Sequence, residues 1–194
     1  MSKFLTGLIV GLIGFPLLAA AYLLSGHAPV AVTDRPFPFE QYLAGAALET
    51  GIHRRAPKRE LSSFNANDLM AGAQVYRRGC GCHGLPGETH NFPEPKMYPA
   101  PPQLFTPDGY VTDDPVGVTY WKVKNGIRTT AMPSFENVLS DQQMWQVAAV
   151  LANADKLPPD VMNVLKQPFG PPETPPANQN PPNSPNGVAP AKKK

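Results

Sequence analysis

Two thiols and an imidazole fall within four positions in Arg77-Arg78-Gly79-Cys80-Gly81-Cys82-His83-Gly84. A run of this kind suits covalent haem: cysteine sulfurs add to the porphyrin vinyl groups, and the adjacent histidine reaches the iron from the proximal side. The usual spacing for such attachment is C-x-x-C-H, and here it is C-x-C-H, one residue short. Counted back from His83, Cys82 stands where the second cysteine belongs. Gly79 occupies the first cysteine's place, and Cys80 lies one step too near. The same atoms serve other chemistries. Cys80 and Cys82 could close a strained short-range disulfide, Cys80, Cys82, His83 and His90 could hold zinc, or the thiols could be incidental.

A haem iron held by histidine commonly takes a methionine thioether as its sixth ligand, which raises the potential and suits reversible electron transfer. Of the six methionines, Met1 and Met162 lie outside the segment that reads as folded. Met70 and Met144 fall within helical patterns, where methionine is ordinarily core filler. Met97 and Met132 fall on loops. Met132 is favoured, because Pro133 fixes the backbone beside it and it lies 49 residues after His83, far enough to cross from one haem face to the other.

The elements that would position these residues lie between 66 and 160. Asn67 or Asp68 is expected to cap a first helix, in which Leu69, Gly72, Ala73 and Tyr76 share one face and which runs into the cysteines. Asp114-Pro115 reads as a cap with proline at the first helical position, and Asn125-Gly126 as the stop, bracketing Val118, Tyr120, Trp121 and Val123. Ser140 with Gln143 forms a capping box for a last helix with Met144, Val147, Ala148 and Leu151 as its stripe, and Pro158-Pro159 lie beyond its end. Six prolines between 93 and 107 preclude regular structure, so residues 92–107 read as an ordered, irregular loop. Three or four helices, long loops and no strand predict a small all-α domain that needs something else at its centre to pack against.

Around this domain, Phe4 to Leu24 is free of charge and at about 1.5 Å per residue reaches roughly 30 Å, enough to cross a bilayer. A cleaved signal segment is the competing reading, with Gly26 and Ala28 as small residues at a cleavage site, although such apolar regions usually run about 7–15 residues. Lys3 and the terminal amine before the span predict a cytoplasmic N-terminus and export of everything after residue 25. Residues 26–65 read as a linker. Its apolar run Tyr42 to Leu48 predicts a short helix docked on the domain, and His53, Arg54, Arg55, Lys58 and Arg59 predict a solvated face, with anionic lipid or an acidic partner as the alternative. Residues 161–194 form an extension, whose nine prolines from 168 onward predict a disordered tail.

Composition closes off other classes. Net charge of +2, unclustered, argues against nucleic acid as the main partner. Two cysteines cannot build a disulfide scaffold. Proline at 25 of 194 residues is about 13%, against roughly 5% in average usage, so much of the chain cannot be helix interior.

Taken together, Ala71-Gly72-Ala73-Gln74-Val75-Tyr76, Cys82-His83-Gly84, Pro101-Pro102-Gln103-Leu104, Asn125-Gly126-Ile127, Met132-Pro133 and Trp145-Gln146-Val147-Ala148 give a pattern that resembles the class I cytochromes c, and more closely the single-haem, membrane-anchored bacterial type. The resemblance implies a small cytochrome c fold of three to four helices around one haem c, covalent through Cys82 and, if the glycines at 79 and 81 let the loop distort, Cys80 as well. It implies that Gly72 and Tyr76 pack against the last helix at Trp145, that the Pro102 carbonyl accepts from the His83 ring, and that His83 and Met132 are the axial ligands. Leu104, Phe105, Tyr120, Trp121, Ile127 and Phe135 are pocket candidates, with Tyr120, Trp121 or Arg128 on the propionates. The implied function is outer-sphere electron transfer between membrane-bound donor and acceptor complexes of a respiratory chain, on the periplasmic side of a bacterial inner membrane. Rival functions are a small haem peroxidase, which would need an open sixth site, and a structural zinc or disulfide module. A fixed subunit of a larger oxidoreductase complex is the alternative within electron transfer.

Overall fold

A computed structural model describes residues 2–87 and 97–167; His90, residues 92–96 of the expected loop and the proline-rich tail lie outside the described residues. The described chain is all-helical. In order it forms α1 (Ser2–Leu24), α2 (Glu40–Arg55), a 3₁₀ turn (Leu61–Ser63), α3 (Ala66–Gly79), a second 3₁₀ turn (Gly81–His83), α4 (Val116–Asn125), α5 (Asp141–Ala152) and α6 (Pro159–Leu165).

The capping chemistry decides where the helices of the domain begin. Asn65, not Asn67 or Asp68, caps α3: its Oδ1 accepts from the Asn67 and Asp68 amides at 2.8 and 3.1 Å, while Asp68 Oδ2 accepts from the Asn65 amide at 3.1 Å. Three cap-forming residues compete here, and the register that completes a reciprocal box prevails. α5 starts as expected, with Ser140 Oγ accepting from Gln143 N at 3.2 Å and Gln143 Oε1 from Ser140 N at 2.8 Å. α4 departs from expectation. Pro115 is itself the cap, with ψ 132, so the helix starts at Val116, and Asp114 pairs instead with Lys122 at 3.6 Å. Pro158-Pro159 does not only end α5: Pro159 occupies the first turn of α6, where a missing amide costs nothing.

α5 is the centre of the domain, buried along Met144–Ala152. α3 crosses it so closely that a Cβ on Gly72 would lie 2.2 Å from the Gln146 carbonyl oxygen and 2.8 Å from Val150 Cγ2. Gln146 Nε2 donates to Asp68 Oδ1 at 3.0 Å across the same seam. α4 flanks α5, and α6 packs on α3 through Val161 and Leu165, which are fully buried. Helical packing thus continues to Leu165, beyond the 160 expected for the end of the domain.

The linker is more structured than its composition indicated. α2 runs from Glu40 to Arg55 rather than only Tyr42 to Leu48, with an acid in its first turn and His53, Arg54 and Arg55 in its last, a charge order that suits the helix dipole. Ile52 is 1% exposed and α2 meets α4. Beyond α2, the Pro57 carbonyl lies where a Cβ on Gly117 would sit, so the chain rests directly on the α4 backbone. Arg59 is exposed, as expected of a solvated face, and its guanidinium also lies over two rings, 4.3 Å from the Phe64 centroid and 5.1 Å from that of Trp145. α1 is long and apolar enough to cross a membrane, and its large apolar side chains are exposed.

Candidate haem site

α3 delivers the chemistry at its C-terminal end. Its amphipathic face buries Gly72, Ala73, Val75 and Tyr76, and the helix ends at Cys80, whose amide still donates to Tyr76 O at 2.9 Å. The chain then tightens into the turn Gly81–His83, closed by His83 N to Cys80 O at 3.0 Å and Gly84 N to Gly81 O at 3.2 Å. Gly84, at φ 73, ends the turn in a conformation that favours glycine. Tyr76, fully buried, donates its hydroxyl to Gly84 O at 3.0 Å and meets Phe105 edge to face at 5.2 Å. Burial, and behind it the charges that Cys80 and Cys82 can carry, holds the Tyr76 phenol far above its ordinary value, so it remains a neutral donor.

His83 Nδ1 lies 2.9 Å from the Pro102 carbonyl oxygen, and Leu104 N donates to His83 O at 3.2 Å. A carbonyl can only accept, so the proton sits on Nδ1. Burial lowers the imidazole below its ordinary range, with the Pro102 bond pulling the other way. The ring is therefore neutral near pH 7 and presents the lone pair of Nε2, which is the form a metal takes.

The two thiols are separate, free cysteines in different surroundings. Cys80 is half-buried and packs against the core cluster, where burial and then the neighbouring Cys82 push its thiol up to about 12. Cys82 is exposed. Among the described residues no group of three or more His, Cys, Asp or Glu side chains is arranged to hold a metal ion.

Met132 sits half-buried against the same core, on a loop tied to the end of α4. Ile127 N donates to Met132 O at 3.2 Å, Ser134 Oγ to Lys124 O at 2.6 Å and Phe135 N to Val123 O at 3.1 Å, while Thr130 Oγ1 accepts from Met132 N at 3.1 Å. Gly126, at φ 66 and ψ −175, makes room for this return: a Cβ there would be 2.8 Å from Met132 O. Phe135 reaches the other half of the site, its Cε1 3.4 Å from where a Cβ on Gly79 would be. The structure thus joins His83 directly to Pro102 and brings the Met132 loop against the end of α3. Met97 is half-buried on the loop that precedes Pro102.

The expected pocket lining divides. Leu104 is buried, and Phe105, Phe135 and Met132 are partly buried against the core. Tyr120 is committed elsewhere: its ring stacks on Trp145 at 3.9 Å and its hydroxyl donates to Asp141, so it is not held for a propionate. Trp121 is half-buried and Arg128 exposed. Several residues that shape the site were not read as such: Gly84 as acceptor for Tyr76, and Thr130 and Ser134 as braces of the methionine loop. The polar residues on either side of Met132-Pro133 were the available signal.

These residues fit a haem. The donor set is a neutral histidine with Nε2 free, an exposed thiol beside it and a thioether on a braced loop, and half-buried apolar side chains surround them. Tyr98, four residues before Pro102, also has a buried hydroxyl with no hydrogen-bond partner among the described residues, which suits a donor whose acceptor is not a protein group. No curated protein and no solved structure matches the chain. Residues 67–150 match the family model described as cytochrome C oxidase, cbb3-type, subunit III, a span that runs from the first turn of α3 through most of α5 and includes the cysteines, His83, Pro102 and Met132. That stretch of the chain is a c-type cytochrome domain of the class I family.

Proposed function

We propose that the chain is a membrane-anchored, single-haem c-type cytochrome that carries electrons and is not itself an enzyme. The bond from His83 Nδ1–H to the Pro102 carbonyl carries the reading, because it fixes the tautomer and ring plane that leave Nε2 as proximal ligand. Met132 is the sixth ligand, with its loop held by α4. Cys82, exposed, forms the thioether, and Cys80, half-buried and protonated, is a secondary thiol. When bound, haem would supply outer-sphere cycling between ferrous and ferric iron, held by His83 and Met132, with no bond made in a substrate. The apolar residues around the site exclude water and favour the less charged, reduced centre. α1 anchors the chain in a bacterial inner membrane with the domain on the periplasmic side, and membrane-bound electron donor and acceptor complexes are the partners.

The haem-loaded protein tests this directly. Acid extraction is expected to leave the haem on the chain, and an alkaline pyridine spectrum to report one thioether. Cys82→Ser is expected to abolish covalent attachment and Cys80→Ser to keep it. Complete release of haem by acid would overturn the reading. A second reading, a fixed subunit of a larger membrane oxidoreductase, is favoured by the oxidase subunit description of the matched family model. Co-purification with other subunits in mild detergent would favour it over a freely diffusing carrier.

A further inference from the structure

The polypeptide between α1 and the domain carries an exposed apolar surface that the electron-transfer reading does not use. Phe39 is 76% exposed, Tyr42 74% and Leu43 63%, all at the start of α2. Val30, at 91%, lies on the same connecting stretch. These residues lie close to the end of α1. The chain leaves α1 at Leu24 and then turns back, so that the Phe37 ring meets the Tyr22 ring edge to face at 5.9 Å. Tyr22 belongs to the last turn of α1. Phe37 therefore lies level with that turn, and Phe39, Tyr42 and Leu43 follow within two to six residues.

Side chains brace the backbone of this return. Asp34 Oδ2 accepts from the Val30 and Ala31 amides at 3.0 and 2.9 Å, Glu40 Oε2 accepts from Phe37 N at 2.8 Å, and Ser25 Oγ accepts from His27 N at 3.3 Å. Irregular backbone enters a partly dehydrated environment more readily when its amides are satisfied internally, and here acidic and hydroxyl side chains satisfy those of His27, Val30, Ala31 and Phe37. Aromatic side chains with one polar edge, such as tyrosine, gather at the headgroup level of a bilayer.

We infer that residues 30–43 form an interfacial membrane element, with Phe39, Tyr42 and Leu43 seated among lipid headgroups beside the exit of α1. The occupant of this surface is lipid, because the segment that carries it returns through Phe37 to the last turn of the apolar helix. The inference rests on the proposal that α1 spans the membrane.

The full haem-loaded chain carrying Tyr42→Trp, reconstituted in vesicles of phosphatidylethanolamine and phosphatidylglycerol, tests it. Lipids brominated near the headgroup are expected to quench the introduced indole, while Trp121 and Trp145 in the parent protein are not quenched. The added emission is also expected to shift to shorter wavelength relative to that of a fully hydrated indole. An added emission that is unquenched and water-like, in protein that resists alkaline carbonate extraction, would overturn the interfacial placement and leave the anchor standing. Release by carbonate would overturn the anchor itself. Shielding that appears only when a partner subunit is added would assign the surface to protein and refute the lipid assignment. Phe39→Ser with Leu43→Ser in the Tyr42→Trp background is expected to reduce the quenching without altering the haem spectrum.

Discussion

Gly126→Ala isolates the loop that carries Met132. Gly126 sits at φ 66 and ψ −175, a region open essentially to glycine alone. Holding another residue there costs about 1–3 kcal/mol before any contact is counted. A Cβ would also lie 2.7 Å from the Pro133 carbonyl carbon and the Ser134 nitrogen, and these are backbone atoms that cannot rotate away. On the other side, the loop is tied to α4 by the bonds from Ser134 and Phe135 and closed on itself by Ile127 N to Met132 O, worth a net of about 1 kcal/mol each. α4 itself is fixed by the buried Val116, Val118, Tyr120 and Val123, so the loop yields first. A change of about 3 kcal/mol shifts the balance between seated and displaced loop by ~100-fold. In the oxidised, haem-loaded protein the near-infrared charge-transfer band of thioether-bound iron is expected to disappear. The reduction potential is expected to fall, because the thioether favours the ferrous state. Far-ultraviolet circular dichroism is expected to stay at the parent value. Retention of the band and of the potential in Gly126→Ala would refute the argument.

Other substitutions separate packing from capping. Gly72→Ala is expected to destabilise by about 1–3 kcal/mol in denaturant unfolding, because its Cβ meets the α5 backbone, whereas Gly45→Ala, with nothing within 4 Å, is expected to stabilise α2 by about 0.5–1 kcal/mol. The Asp68 carboxylate is held below its usual range by the Gln146 bond and then by the Asn65 amide. Its folded pKa is thus the lower one, so the stability it contributes is present above the unfolded value near 4 and is lost as pH falls through the folded value. Asp68→Ala is expected to cost about 1 kcal/mol at neutral pH, a difference that urea midpoints should show shrinking below about pH 4. Arg59→Ala is expected to cost about 0.5–1 kcal/mol and to change Trp145 fluorescence, since the guanidinium covers that ring. Gly117→Ala displaces Pro57 and is expected to expose residues 56–60 to limited proteolysis.

Local chemistry was legible wherever a few adjacent residues carry it. The Ser140–Gln143 box, the Gly126 stop and the all-α class follow from side chains that act on their own backbone, and the structure repeats them. Where the same rules admit two answers, as with Asn65, Asn67 and Asp68 or with prolines that both end and begin helices, the register was missed by a residue or two and α6 went unread. Tyr120 shows the other limit: a helix pattern marks it as buried without saying that Trp145, 25 residues on, is what it stacks against. The bond from His83 to Pro102 was expected only through likeness to a family, because the two lie 19 positions apart in sequence and no periodicity links them.

The seating of Pro57 on Gly117 and the cover of Arg59 on Trp145 also set how far the domain can wander. Were all of residues 25–65 a loose leash, its ends would drift about 35 Å apart on average. With α2 docked on α4 through Ile52, only residues 25–39 separate α1 from the docked helices, a reach of about 20 Å were they loose, and the contact of Phe37 with Tyr22 shortens it further. With α1 in a bilayer, the haem domain is held at a nearly constant height over the lipid and meets its partners by lateral diffusion. It can then exchange electrons only with sites that open at that height.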